Sequence, residues 1–148
     1  MGLSSSKIVI ASDHAGFSLK ETLKQKLGAY EFIDVGTTGT KSCDYPDFGY
    51  AAAEKVASGE ARFGIVVCGS GIGISIAANR NKAVRCALCV NEAMAKLARQ
   101  HNDANMLALG ARLTKPEEAV KIAQTFLNTA FEGGRHQTRV DKLSGKNK

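Results

Sequence analysis

The chain has 148 residues, of which 44% are hydrophobic and 23% charged, an ordinary balance for one soluble globular domain. No apolar run approaches the ~18–20 residues of a membrane span, and the stretch from Met1 to Lys7 lacks the apolar core of a secretory signal. The net charge of +6 is concentrated at one end, where Arg135, Arg139, Lys142, Lys146 and Lys148 stand against Asp141, so a broad nucleic-acid face is not expected.

Met1-Gly2-Leu3-Ser4-Ser5-Ser6 reads as a flexible polar leader (residues 1–6), although it also satisfies the short N-myristoylation pattern at Gly2. Lys7–Ser12 is a β-rich apolar run. A helix follows from about Gly16, with Leu19, Leu23 and Leu27 on one face. Glu31–Val35 is a second strand, closed by Gly36. Pro46 suits the first turn of a second helix, which carries Ala51–Ala53 and Val56 and ends at Gly59.

Phe63–Cys68 is almost wholly apolar, as a central parallel strand is. A glycine-rich turn then opens a helix near Ile72–Asn79. Val84–Val90 is the fourth strand, and Glu92–Gln100 a helix with Met94, Leu97, Ala98 and His101 on one side. Asn105–Leu109 is the fifth strand. Thr114-Lys115-Pro116-Glu117 reads as a capping box, opening a last helix with Val120, Ile122, Phe126 and Leu127. Residues 141–148 form a basic tail.

Five strands alternating with five helices imply one α/β domain over residues 1–148. It is a single three-layer α/β/α, Rossmann-like domain with a five-stranded parallel sheet. Cys43, Cys68, Cys86 and Cys89 are expected to be reduced thiols of a cytoplasmic protein. Cys86 and Cys89 have metal-knuckle spacing, but on a strand they point to opposite faces and cannot easily share a zinc.

Ligands of such sheets bind outside the carboxyl ends of the strands. There the sequence places Asp13 and His14, then Asp44 and Tyr45, then Cys68-Gly69-Ser70-Gly71-Ile72-Gly73, and Arg112. The glycine turn before a helix favours an anion, either a phosphate or an oxyanion formed during reaction. It is not a dinucleotide fingerprint, because Ile74 stands where the third glycine belongs and no acid follows near Cys89 and Val90. Nor is it a P-loop, since no Gly-Lys-Ser/Thr follows. Cys68 is either an inert buried thiol or one acidified by the helix N-terminus from a free value of ~8.5. Taken singly, Asp13 also reads as a cap of the first helix, His14 as a capping or core histidine, and Arg112 as a solvated side chain. His101, Arg135 and Arg139 follow helices and so belong to the opposite edge. They are either packing and solvent residues or groups lent to a second subunit's site.

Five segments resemble type B ribose-5-phosphate isomerases over nearly the whole chain. They are Ser12-Asp13-His14-Ala15-Gly16, Asp44-Tyr45-Pro46-Asp47, the run from Cys68 to Asn79, Arg99-Gln100-His101-Asn102-Asp103-Ala104-Asn105, and Glu132-Gly133-Gly134-Arg135-His136-Gln137-Thr138-Arg139-Val140. The resemblance implies interconversion of ribose 5-phosphate and ribulose 5-phosphate without cofactor or metal. It also implies a homodimer, or a dimer of dimers, with sites shared between subunits.

By that resemblance Cys68 is the base, Ser70 a proton carrier, and His101 with Asp13 the ring-opening pair. His14, Arg112, Arg135 and Arg139 hold phosphate. Asp44, Tyr45 and Asn102 contact the sugar, and Gly69, Gly71 and Gly73 offer N–H groups to an enediolate. The family also has a form whose base is a Glu at the position of Ile74, so this sequence resembles the Cys form, with Ser70 where Thr is frequent. A six-carbon sugar phosphate (allose or galactose 6-phosphate) is the nearest alternative substrate. A non-catalytic sugar-phosphate-binding module is the alternative from another class.

Overall fold

The computed structural model describes residues 7–145, so the leader with its Gly2 pattern lies outside the described residues, as do 146–148. Strands β1 (Lys7–Ser12), β2 (Glu31–Asp34), β3 (Phe63–Cys68), β4 (Cys86–Leu88) and β5 (Met106–Gly110) form one sheet in the order β2-β1-β3-β5-β4. All its pairings are parallel. The helices are α1 (Phe17–Lys26), α2 (Tyr45–Ala57), α3 (Ile72–Asn79), α4 (Glu92–Asn102), α5 (Pro116–Asn128) and α6 (Arg135–Leu143). The expected alternation is present.

Side-chain alternation along the strands builds two cores. Ile8, Ile10, Ile65, Leu107 and Leu109 point to one face and meet Leu19, Leu23, Leu27, Ile122 and Phe126. Val9, Ala11, Val66, Met106 and Ala108 point to the other and meet Ala52, Ala53, Ile74 and Ala78. Helices α1, α4 and α5 therefore cover one face, and α2 and α3 the other. Cys86 packs with the second core and Cys89 with the first, on opposite faces as expected. Burial raises both thiols, that of Cys89 to about 11.

Four details depart from the sequence reading. The central strands β1 and β3 keep the expected bounds, but β4 shrinks to three residues. No capping box forms, because Pro116 is the first residue of α5 and Lys115, with no side-chain cap, stands before it. Thr114 is buried instead. Asp141–Leu143, expected in the tail, are the last turn of α6, a helix anchored by buried Val140 and His136. The side of α4 expected to carry Met94, Leu97, Ala98 and His101 is split: Met94 and Leu97 face outward, while Ala98 joins Ala95 and Arg99 toward the core. The buried face is made of two alanines and a charged Arg99, so the larger apolar side chains of the outward face mislead the periodicity.

The carboxyl edge is tied together by charge. Lys20, 1% exposed, donates to Asp34 Oδ2 at 2.6 Å, and Lys24 donates to the same oxygen at 2.8 Å. Asp34 Oδ1 accepts the Gly36 N–H at 2.9 Å, and the Gly36 carbonyl then accepts the Ser12 N–H. Burial raises the Asp34 carboxyl, but Lys20, Lys24 and the Gly36 N–H outweigh it and hold it below its usual 3.8. A lowered carboxyl stabilises above its unfolded pKa, and the contribution is lost as pH falls through the folded value. Asp34→Asn should therefore cost about 2 kcal/mol at neutral pH, less than a fully buried broken pair. Urea melts of the two proteins should converge as pH falls through the lowered Asp34 value; a gap independent of pH would contradict this reading of the pair.

Candidate active site

Successive connections reverse direction between β1 and β3, because β2 lies on one side of β1 and β3 on the other. A sheet that reverses this way opens a crevice at the carboxyl ends of those two strands. Asp13 leaves β1 there, and Cys68 ends β3 there.

The turn after Cys68 is built around its sulfur. Gly71 sits at φ +79°, a left-handed conformation that favours glycine. From it the Gly71 N–H donates to Cys68 Sγ at 3.2 Å. Cys68 as a whole is 4% exposed. Ser70 Oγ accepts the Ile72 N–H at 3.1 Å. Among the described residues no acceptor takes the N–H groups of Ser70 and Gly73, and Gly73 lies in the first turn of α3. Gly71 does not line the cleft: a Cβ there would meet Leu88 and the backbone of Leu109 and Gly110. Its N–H, expected to face a ligand, is engaged by the thiol.

The cleft beside this turn has a volume of about 510 Å³, and Asp13, Tyr45, Cys68, Ser70, Gly73 and Arg112 line it together with Gly69. Asp13 lines the cleft and closes the turn before α1 rather than capping that helix, whose N-cap is Gly16: its Oδ1 accepts the Gly16 N–H at 3.1 Å, and the residue is 6% exposed. The Cys43 N–H donates to His14 Nδ1 at 3.2 Å, which leaves a neutral ring with its hydrogen on Nε2. Tyr45 closes one wall by lying on Gly73, where a Cβ would stand 2.5 Å from its ring. The Arg112 guanidinium lies over Gly69, whose Cβ would stand 2.9 Å from Nη1. Asp44 precedes α2 as its exposed N-cap and is not among the cleft-lining residues.

His101, Asn102, Arg135 and Arg139 lie elsewhere. α4 runs back from the carboxyl edge, so His101 and Asn102 end it at the amino edge. There the Arg85 guanidinium, just before β4, takes the Asn102 and Asp103 carbonyls. α6 starts at the same edge, with the Glu132 N–H bonded to the Gln100 carbonyl. The buried Arg99 fastens this corner through Thr129, Asp103 and Ala104. The His101 ring stacks on that of His136, centroids 4.2 Å apart and planes 14° apart. Burial, followed by the charges of Arg135 and His101, lowers the His136 pKa from its ordinary 6.5 despite Glu132.

Residues 8–143 match the ribose/galactose isomerase family. The chain is 43% identical to ribose-5-phosphate isomerase B of Escherichia coli over 140 residues, 93% of this chain and 94% of the relative. The chain belongs to the ribose/galactose isomerase family. As a member of it, the protein is an isomerase. The structure of ribose-5-phosphate isomerase B from Clostridium thermocellum superposes with a TM-score of 0.93 at 52% identity, covering 94% of this chain and 95% of that one. The Mycoplasma genitalium enzyme, solved with bound ribulose-5-phosphate, superposes with a TM-score of 0.89 at 43% identity, covering 94% of each chain.

Sequence reasoning did not single out Gly110, Cys43 or His136 within this isomerase fold. Gly110 is a matter of close approach: its Cβ would stand 2.5 Å from the Ser70 carbonyl oxygen. The glycine closing β5 was visible, but its neighbour across the sheet was not. Two glycine variants separate support from contact. Gly110→Ala pushes on backbone, so it should lose about 1–3 kcal/mol of stability and lower kcat. Gly69→Ala pushes on a flexible guanidinium, so it should fold normally and raise KM. Urea denaturation beside steady-state kinetics checks both, and a reversed pattern would contradict the geometry.

Proposed function

We propose that the protein interconverts D-ribose 5-phosphate and D-ribulose 5-phosphate in the cytoplasm through a cis-enediolate, with the Cys68 thiolate as base. The observation that carries this reading is the thiol at the floor of the cleft, held by the Gly71 N–H and flanked by Asp13, Ser70 and Arg112. Ribulose-5-phosphate bound to the relative from Mycoplasma supports the substrate.

Phosphate is held by His14, through its Nε2–H, and by Arg112, whose fork matches phosphate oxygens. The second half of the phosphate site comes from a homodimer partner. Arg135 and Arg139 lie at the amino edge of their own sheet, and exposed apolar side chains accompany both halves. Ile72 and Ile76 are 50% and 58% exposed beside the cleft, and Met94 and Leu97 are exposed on the face of α4 that leads to His101. Exposed apolar groups of this kind mark an interaction surface.

The partner's His101, with Asp13, opens the furanose by moving a proton from the anomeric hydroxyl to the ring oxygen, and the partner's Asn102 binds near that carbon. The Cys68 thiolate then takes the C2 proton of the open aldose. The electron pair moves to O1 and forms the enediolate. The thiol returns the proton to C1, and Ser70 carries a proton from O2 to O1, leaving the C2 ketone. The N–H groups of Gly69, Ser70 and Gly73 face the enediolate charge, while that of Gly71 holds the thiol. One such donor is worth roughly 3–4 kcal/mol. Tyr45 walls the sugar, and Asp44 at the rim meets a hydroxyl. Six-carbon sugar phosphates are the second reading, favoured by the breadth of the family, and competition at equal concentration ranks the two.

Cys68→Ala should lose at least ~10²-fold in ribose 5-phosphate turnover while folding normally. Deuterium at C2 should slow the wild type and wash partly into solvent. Full turnover by the variant would remove the thiolate base, and an inert wild type would remove the pentose substrate.

A further inference from the structure

Away from the cleft, three metal-ligating side chains from three segments come together at the amino edge. They are His101 at the end of α4, Glu132 in the connection to α6, and His136 in the first turn of α6. One ligand atom from each lies within 4.8 Å of the other two. Two ligands ~2.0 Å from a tetrahedral zinc stand roughly 3.3 Å apart. His136 Nε2 is already 3.5 Å from Glu132 Oε1. The His101 ring lies parallel to that of His136 at 4.2 Å, so their in-plane lone pairs run side by side; a rotation of the His101 ring with a closure of up to roughly 1.5 Å brings all three to zinc spacing.

The chemistry of the set agrees with its spacing. Two imidazoles and one carboxylate are the ligands of three-coordinate protein sites that leave a fourth position open. Among the described residues neither ring enters any hydrogen bond, and the Glu132 contact is the polar partner His136 has. Stacked imidazoles gain little from each other, and turning the His101 ring about its Cβ–Cγ bond lets both aim a lone pair at one cation. The guanidinium groups of Arg135 and Arg139 on α6 weaken the hold of a cation, which suits a site that fills and empties with metal supply.

We propose that His101, Glu132 and His136 form a Zn²⁺ site, and that the metal inhibits the enzyme by occupying the lone pair of His101. The inhibition rests on the ring-opening role assigned above, because a nitrogen bound to zinc cannot take the anomeric proton. The binding does not rest on that role.

The test uses the full chain, stripped of metal by chelator, as wild type, Glu132→Gln and His136→Ala. Zn²⁺ affinity is read by competition with a chromophoric chelator, ligand type by Co²⁺ absorption, and activity with and without Zn²⁺. The wild type should bind Zn²⁺, give cobalt bands without thiolate charge transfer, lose activity when Zn²⁺ is added and regain it with EDTA. Glu132→Gln should keep its basal activity, bind at least ~10-fold more weakly and escape inhibition; His136→Ala should also bind weakly. Unchanged zinc affinity in both variants, or a thiolate band placing the metal on Cys68 or Cys43, would overturn the site. Zinc bound at the site with turnover untouched would overturn the inhibition. A metal-free wild type inert on ribose 5-phosphate would overturn the functional reading, while the titration still decides the site.

Discussion

A parallel sheet imposes one direction on everything attached to it. Each strand delivers its next loop to the carboxyl edge, and each crossover helix returns the chain to the amino edge. Asp13, His14, Cys68 and Arg112 follow strands and stand at the first edge. His101, Asn102, Arg135 and Arg139 follow helices or begin the last one, and stand at the second. No side-chain rotation closes the width of a sheet. A site that uses both groups must therefore take them from two chains, and the proposed mechanism accordingly needs a dimer.

The turn after β3 converts this placement into chemistry. Its left-handed glycine aims an N–H at the Cys68 sulfur, and among the described residues the Ser70 and Gly73 N–H groups beside the cleft have no acceptor. Close approach of Gly110 beneath and Gly73 beside the turn leaves its backbone little freedom. The amino-edge corner is held as firmly, by buried Arg99 and by Arg85 bonding the last carbonyls of α4. The backbone on which the side chains of both proposed halves are mounted is thus held by packed glycines at one edge and by arginine hydrogen bonds at the other. The same rigidity brings His101 and His136 face to face, and so makes the amino edge a candidate for metal as well as for sugar.

Much of this was legible in the sequence, because the strongest signals are local. The apolar runs of β1 and β3, the Leu19–Leu23–Leu27 face and Pro46 at the start of α2 all found their expected places. The less legible parts depend on distant neighbours. The outward turn of Met94 and Leu97 is decided by which side of α4 meets α5, and periodicity carries no such information. α6 was obscured by its charge, since two buried residues anchor a segment that composition reads as tail. The engagement of the Gly71 N–H by the thiol depends on one backbone angle. That His14 is held by the Cys43 backbone depends on a loop 29 residues away.

Subunit complementation tests the shared site most directly. Cys68→Ala and His101→Ala are each inactive in the proposed mechanism, one lacking the base and the other the ring-opening group. Co-expressed and assembled at random, they should recover about a quarter of wild-type turnover, because half the dimers are mixed and each holds one intact site. Recovery to that level, absent when the separately purified variants are combined without subunit exchange, is the predicted result. No recovery in mixed dimers shown to have formed would contradict the account and return both groups to a single chain.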